Sequence, residues 1–110
     1  MFLYHFSDCD IDKLQPMIGK NRHDGEDPLA VNTPVIFLTT CSETLYENQP
    51  KFRYTVEIEM NDPLLKPDRL HNQMMEEMKS IGSIDDTKWF FYLTSITPVK
   101  KERWNGKRYQ

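Results

Sequence analysis

Lys51-Phe52-Arg53-Tyr54-Thr55-Val56-Glu57-Ile58-Glu59-Met60 is the stretch on which the reading of the fold turns. Phe52, Tyr54, Val56, Ile58 and Met60 alternate with Arg53, Thr55, Glu57 and Glu59, and a period of two puts the apolar set on one face of a half-exposed strand. With Arg53 and Thr55 beside them, Glu57 and Glu59 read first as a solvent face carrying cross-strand charge pairs. Paired carboxylates are also the equipment of acid–base chemistry. Asp62-Pro63 ends the strand.

Working outward, residues 1–7 and 33–39 are short apolar runs, rich in aromatic and β-branched side chains, of the kind that form buried strands. After the first run, Ser7 followed by Asp10 opens a helical turn through Ile11 and Leu14. Asp8, Asp10 and Asp12 sit at its positive end and Pro16 stops it. Residues 19–32 form a polar loop with turn residues and almost nothing to bury. After the second run, Thr40-Cys41-Ser42-Glu43 fits a capping box that starts a short helix through Leu45 and Tyr46.

Downstream, Pro67-Asp68 begins the strongest helical pattern, an apolar stripe of Leu70, Met74, Met75, Met78 and Ile81 ended by Gly82. Residues 89–97 read as an aromatic-rich strand, interrupted by Pro98. Residues 99–104 continue as an edge strand, and Asn105-Gly106 turns the chain back toward Tyr109 in a terminal hairpin. Strand, short helix, strand, short helix, strand, helix, strand, strand is an α+β order.

A chain of 110 residues is one domain, 1–110, able to bury roughly two-thirds of its unfolded surface. The net charge of -3 disfavours general polyanion binding, yet Lys100, Lys101, Arg103, Lys107 and Arg108 crowd the last stretch with Glu102 as its sole acid. That tail reads as a solvated terminal strand or as a phosphate or RNA contact. With no apolar run of spanning length and two isolated cysteines, Cys9 and Cys41, the expectation is a reduced, cytoplasmic protein without a membrane partner. His5, His23 and His71 lack ligand spacing, so no metal site is expected, and the four glycines form no phosphate loop.

Two segments place polar groups where apolar strands end. One is Phe2-Leu3-Tyr4-His5-Phe6-Ser7; the other runs from Val35-Ile36-Phe37-Leu38 into Thr39-Thr40-Cys41-Ser42-Glu43-Thr44-Leu45-Tyr46. An imidazole and a cluster of hydroxyls can converge on a sugar hydroxyl and a flat ring, as a dinucleotide cleft requires. His5 reads equally as a core histidine bonded to a backbone carbonyl, and Thr39, Thr40 and Ser42 as helix caps. Arg22-His23-Asp24 is either a lid over phosphates or a set of solvated loop charges. A two-histidine phosphodiesterase lacks its second His-x-Thr/Ser, and a Cys–His hydrolase would need Cys9 or Cys41, both of which read as small buried hydrophobes.

Leu3-Tyr4-His5-Phe6-Ser7, Ile11-x-x-Leu14-x-Pro16, Val35 through Thr40, Ser42-x-Thr44 and Tyr46 together resemble the ADP-ribosyltransferase fold, most closely its small bacterial and phage members. The resemblance implies a small mixed or antiparallel sheet with one main helix and short helices, and NAD as cofactor. It makes His5 the catalytic residue that holds the ribose hydroxyl, followed by the Ser7 hydroxyl. Phe37 stands where a stacking Tyr is expected, as the second catalytic residue. Thr39, Ser42 and Thr44 supply cofactor-binding hydroxyls and Tyr46 an aromatic, while Arg22, His23, Arg53 or the basic tail would take a phosphate. ADP-ribose would then pass to a macromolecular target, a protein or an RNA.

The chain departs from that pattern where a late-strand Glu should stabilise positive charge on the ribose. Asp85 and Asp86 precede Lys88-Trp89, and Glu102 lies near the terminus. The related tRNA 2'-phosphotransferases work without that Glu. The other reading is a non-enzymatic phage or mobile-element inhibitor of host defence that sequesters a nucleotide signal or covers a host protein.

Overall fold

A computed structural model describes residues 1–18, 33–43, 49–69, 72–73, 76–77 and 88–110. Six strands, β1 Phe2–Ser7, β2 Ile36–Thr39, β3 Phe52–Glu57, β4 Leu65–Pro67, β5 Trp89–Tyr92 and β6 Lys100–Arg103, form one sheet in the order β4-β5-β2-β1-β3-β6. Each adjacent pair is antiparallel.

The alternation in β3 does what its period requires. Residues opposed in an antiparallel register share a face, so Leu3 with Val56, His5 with Tyr54, Ile36 with Tyr92 and Leu38 with Phe90 line one side. There Leu3, Leu14, Ile36, Leu38, Tyr54, Val56, Ile58, Leu65 and Tyr92 form the main core. Met60, at the end of the same alternation, is 67% exposed because the ladder has already ended at Glu57. On the other side a smaller cluster gathers Val35 and Phe91 with Phe37 and Leu93.

The expected α+β architecture is not what forms: this is an antiparallel sheet, and the described residues hold no complete helix, only helical positions after β4. The turn expected over residues 7–14 is a strap laid across the core face. In a helix the Cys9 carbonyl and the Leu14 amide would bond within the segment. Instead the Tyr54 hydroxyl donates to the Cys9 carbonyl at 2.6 Å and accepts from the Ile11 amide at 2.7 Å. Leu14 exchanges backbone bonds with Ile96, and Met17 with Val35. Burial of Ile11 and Leu14 against the sheet outweighs local helix signals.

Directly after β4 the helical pattern begins where Asp68 predicts, the Asn72 amide donating to the Asp68 carbonyl at 2.9 Å with residues 69, 72–73 and 76–77 helical, and Pro67 itself closes β4. As the third residue of an edge strand it gives up no ladder amide that the sheet needs. Beyond it, Asn72 acts on the sheet: its side chain accepts from the Trp89 amide at 2.8 Å and donates to the Trp89 carbonyl at 3.1 Å. Leu70, Met74, Met75, Met78, Ile81 and Gly82 lie outside the described residues, as do loop residues 19–32 and the expected helix positions Thr44 to Tyr46. Thr40, expected to cap that helix, accepts instead from the Lys88 amide at 2.9 Å. The terminal hairpin does form. Trp104 pairs with Tyr109, Gly106 takes the positive φ of 96° that the turn needs, and Asn105 Oδ1 accepts from the amides of Lys107 and Arg108.

Tyr54→Phe keeps the ring in the core but leaves the Cys9 carbonyl and Ile11 amide without their partner. Urea denaturation should show a loss of about 1–3 kcal/mol, against about 2–5 kcal/mol for truncating the buried Leu38 to Ala.

Candidate functional site

Pairing along the sheet is uneven, and the weak place is central. Every residue of β1 has a partner on β3, from Phe2 opposite Glu57 to Ser7 opposite Phe52, whereas its ladder with β2 is the Tyr4–Thr39 pair alone. From His5 to Ser7, β1 and β2 run on without further ladder pairs. The sheet is therefore two three-stranded halves, β1-β3-β6 and β2-β5-β4, meeting at a seam.

Side chains lace this seam from both faces. On the core face, His5 Nδ1 lies 2.8 Å from the Phe37 carbonyl oxygen. A carbonyl only accepts, so Nδ1 carries the proton and donates; the neutral ring then presents Nε2 as an acceptor. Nε2 makes no hydrogen bond to a described residue. Burial pushes the imidazole below its ordinary value, opposed only in part by the Phe37 bond, so the ring is neutral at pH 7. Ser7, two residues along and on the same face, accepts from the Cys9 amide at 3.1 Å and keeps its O–H as a donor.

On the opposite face Arg53 reaches over β1. Its Nη1 donates to the Ser42 carbonyl at 2.8 Å, and its Nε and Nη2 donate to Glu102 Oε1 at 3.2 and 2.6 Å. The guanidinium carbon lies 5.7 Å from the centre of the Tyr4 ring and 5.1 Å from that of Tyr109. Side-chain exposures of 14% for Arg53 and 10% for Glu102 make this a largely desolvated pair. The sequence reading gave Arg53 a solvent face or a phosphate. Only the register that sets Arg53 against Glu102, and the hairpin that brings in Tyr109, reveal the actual arrangement.

The expected site residues therefore separate. His5 and Ser7 share a face, and the bond of His5 to the Phe37 carbonyl engages its Nδ1 alone. Phe37 contributes its carbonyl to the seam, but its ring lies on the other face, edge-on to Phe91 at 5.1 Å. Thr39 is buried, with its hydroxyl donating to the Lys88 carbonyl and accepting from the Cys41 amide. Ser42 meets Arg53 through its carbonyl. Glu102 lies on the face away from His5 and is held by Arg53. Arg22, His23, Thr44 and Tyr46 lie outside the described residues. Cys9, read as a buried hydrophobe, is exposed, and Cys41 is half-buried; both are free thiols.

No family model matches the chain, and no curated protein or solved structure matches it significantly. Among the described residues no helix is long and apolar enough to cross a membrane.

Two measurements probe the lacing. Arg53→Ala strands the Glu102 carboxylate in a desolvated site and should lower stability by about 3–5 kcal/mol. Glu76→Ala, which breaks the exposed pair with Lys88, should change it by less than about 1 kcal/mol. For His5 the folded state resists protonation while the unfolded chain titrates near its ordinary value of about 6.5. The unfolded state thus binds more protons below that pH, and the stability contributed at neutral pH is lost as pH falls from about 6.5 toward the folded value. Denaturation at neutral and mildly acidic pH should show a steeper loss for the wild type than for His5→Asn.

Proposed function

We propose that the chain binds the ribose of NAD, or of an ADP-ribose-like nucleotide, at the seam between β1 and β2. The observation that carries this reading is the fixed tautomer of His5. A neutral imidazole whose Nδ1 is tied to the Phe37 carbonyl offers Nε2 as an acceptor with set direction, and a sugar hydroxyl is the donor that fits it. Ser7 on the same face adds an O–H donor two residues away. The resemblance of the His5 and Val35–Thr40 segments to ADP-ribosyltransferases points to the same ligand.

This reading rests on His5 and Ser7 and leaves the Phe37 ring out, since that ring packs on Phe91 across the sheet. Transfer of ADP-ribose to a protein or RNA target is its fuller form. The second reading, a nucleotide-sequestering or host-protein-binding inhibitor without turnover, is favoured by one observation: Glu102, the late-strand carboxylate, is engaged by Arg53 on the face away from His5.

Thermal denaturation with NAD, ADP-ribose and AMP tests the ligand, and nicotinamide release tests the chemistry. A ligand at a hundred times its Kd should stabilise the fold by about 2.7 kcal/mol, and His5→Ala should remove that shift. Release of nicotinamide supports transfer; a shift without release supports sequestration. Absence of a shift with all three nucleotides refutes the proposal.

A further inference from the structure

The face opposite His5 carries a groove of about 380 Å³ over Phe2, Tyr4, Thr55, Val99, Lys100 and Glu102, with Arg53 beneath. This volume lies at the small end of ligand sites, the size of one flat ring and its substituents. Its rim is apolar. Phe2, on β1, is 55% exposed, and Val99, just before β6 with its amide bonded to the Thr55 carbonyl, is 60% exposed. Large apolar side chains left in water at the mouth of a polar-floored groove need a partner of mixed character.

The floor has unused hydrogen-bonding capacity of defined polarity. Arg53 occupies Glu102 Oε1 with two donors, whereas among the described residues Glu102 Oε2 has only an ion pair with the exposed Lys100 ammonium, at 3.6 Å, beyond hydrogen-bond reach. Thr55 is only 8% exposed, and its hydroxyl makes no hydrogen bond to a described residue. The floor thus offers one anionic acceptor and one hydroxyl beneath an aromatic wall. An amino-bearing heteroaromatic ring meets each demand: its N–H to Glu102 Oε2, a ring nitrogen or carbonyl to Thr55, and its flat face to Phe2.

Charge around the groove identifies what carries that ring. Arg53 neutralises Glu102, and of the remaining charges from Val99 to Gln110 Lys100 shares the groove face and Lys107 and Arg108 lie in the hairpin turn, whereas Lys101 and Arg103 alternate onto the core face, Arg103 over the Phe52 ring. Lys101 is held by Asp10. Lys100 stands at the groove, and Lys107 and Arg108 at the tip of the terminal hairpin that continues β6. Lys100 beside the groove, with Lys107 and Arg108 in the hairpin beyond it, suits the phosphates of a chain that carries the ring.

We infer that this face binds a single-stranded nucleic acid, with one amino-bearing base in the groove and the backbone along β6 and the hairpin. Stacking on Phe2 supplies affinity and Glu102 Oε2 supplies discrimination against thymine and uracil, which lack an exocyclic amino group. The site is separate from the seam and does not depend on the nucleotide reading given to it.

Fluorescence anisotropy with labelled oligo-dA, oligo-dC and oligo-dT, and their RNA counterparts, tests this without NAD, so the result is independent of the seam. Binding should be saturable at low salt and weaken as salt rises, with a log–log slope of roughly -0.7 for each phosphate contact. Oligo-dA or oligo-dC should bind at least about fivefold tighter than oligo-dT. Phe2→Ala should weaken binding about fivefold or more. Lys107→Ala with Arg108→Ala should flatten the salt slope, and circular dichroism checks that these exposed substitutions leave the fold intact. Thr55→Val probes the floor without disturbing the Arg53–Glu102 pair. Absence of binding at low salt overturns the inference. So does sequence-blind binding insensitive to Phe2→Ala and Thr55→Val, or AMP and CMP competing as well as the oligonucleotides.

Discussion

The seam between β1 and β2 is the constraint around which the rest of this molecule is arranged. A sheet holds together through ladder bonds, and here the central junction has one ladder pair where its neighbours have several. The missing backbone bonds are replaced by His5 bonding the Phe37 carbonyl from one side and Arg53 bonding the Ser42 carbonyl from the other. Both are side chains of the β1-β3-β6 half, and both grip backbone of the β2 half. The junction is thereby fixed in place by side chains where ladder pairs are few.

The two lacing residues differ in physical character. His5 is held neutral by burial, and its bond is an ordinary one between neutral groups. Arg53 is a desolvated cation whose charge is answered by Glu102 and by the faces of two tyrosines. A buried pair of this kind contributes little net stability compared with a well-packed apolar substitute, yet losing one member is severe. Its value here is geometric: it aims one guanidinium simultaneously at β6, the terminal hairpin and the chain after β2.

What the sequence makes legible follows from how local each signal is. The alternation over residues 51–60 is local, and the strand, its buried face and its opposition of Arg53 to Phe52 all follow from it. The Asn105-Gly106 turn is equally local and forms. The strap over residues 8–18 and β4 could not be read in this way. Ser7-to-Asp10 is a genuine helix-start pattern, overridden by a tyrosine hydroxyl more than forty residues away, whereas Asp68 does start helical backbone, its carbonyl accepting from the Asn72 amide, and only Pro67 is taken into an open sheet edge. The same limit governs the site. Nearness in sequence brought His5 and Ser7 onto one face, but whether Phe37 and Glu102 join them depends on register between distant strands, and register places both on the other side.

Strand order also has a kinetic consequence. β1 must find β3, with Phe2 opposite Glu57; β2 must find β5; and β3 must wait for β6, with Thr55 opposite Lys100. No strand pairs with the next in sequence across a tight turn until β4 meets β5, and there too a long connection intervenes. Each ladder requires closure of a long loop before any bond repays it, so the chain belongs among slow folders dominated by non-local contacts. During synthesis the β3-facing edge of β1 stays unpaired until residue 57 has emerged, and the β6-facing edge of β3 until residue 103 has. The interval is one in which a chaperone or a neighbouring nascent chain can claim that edge.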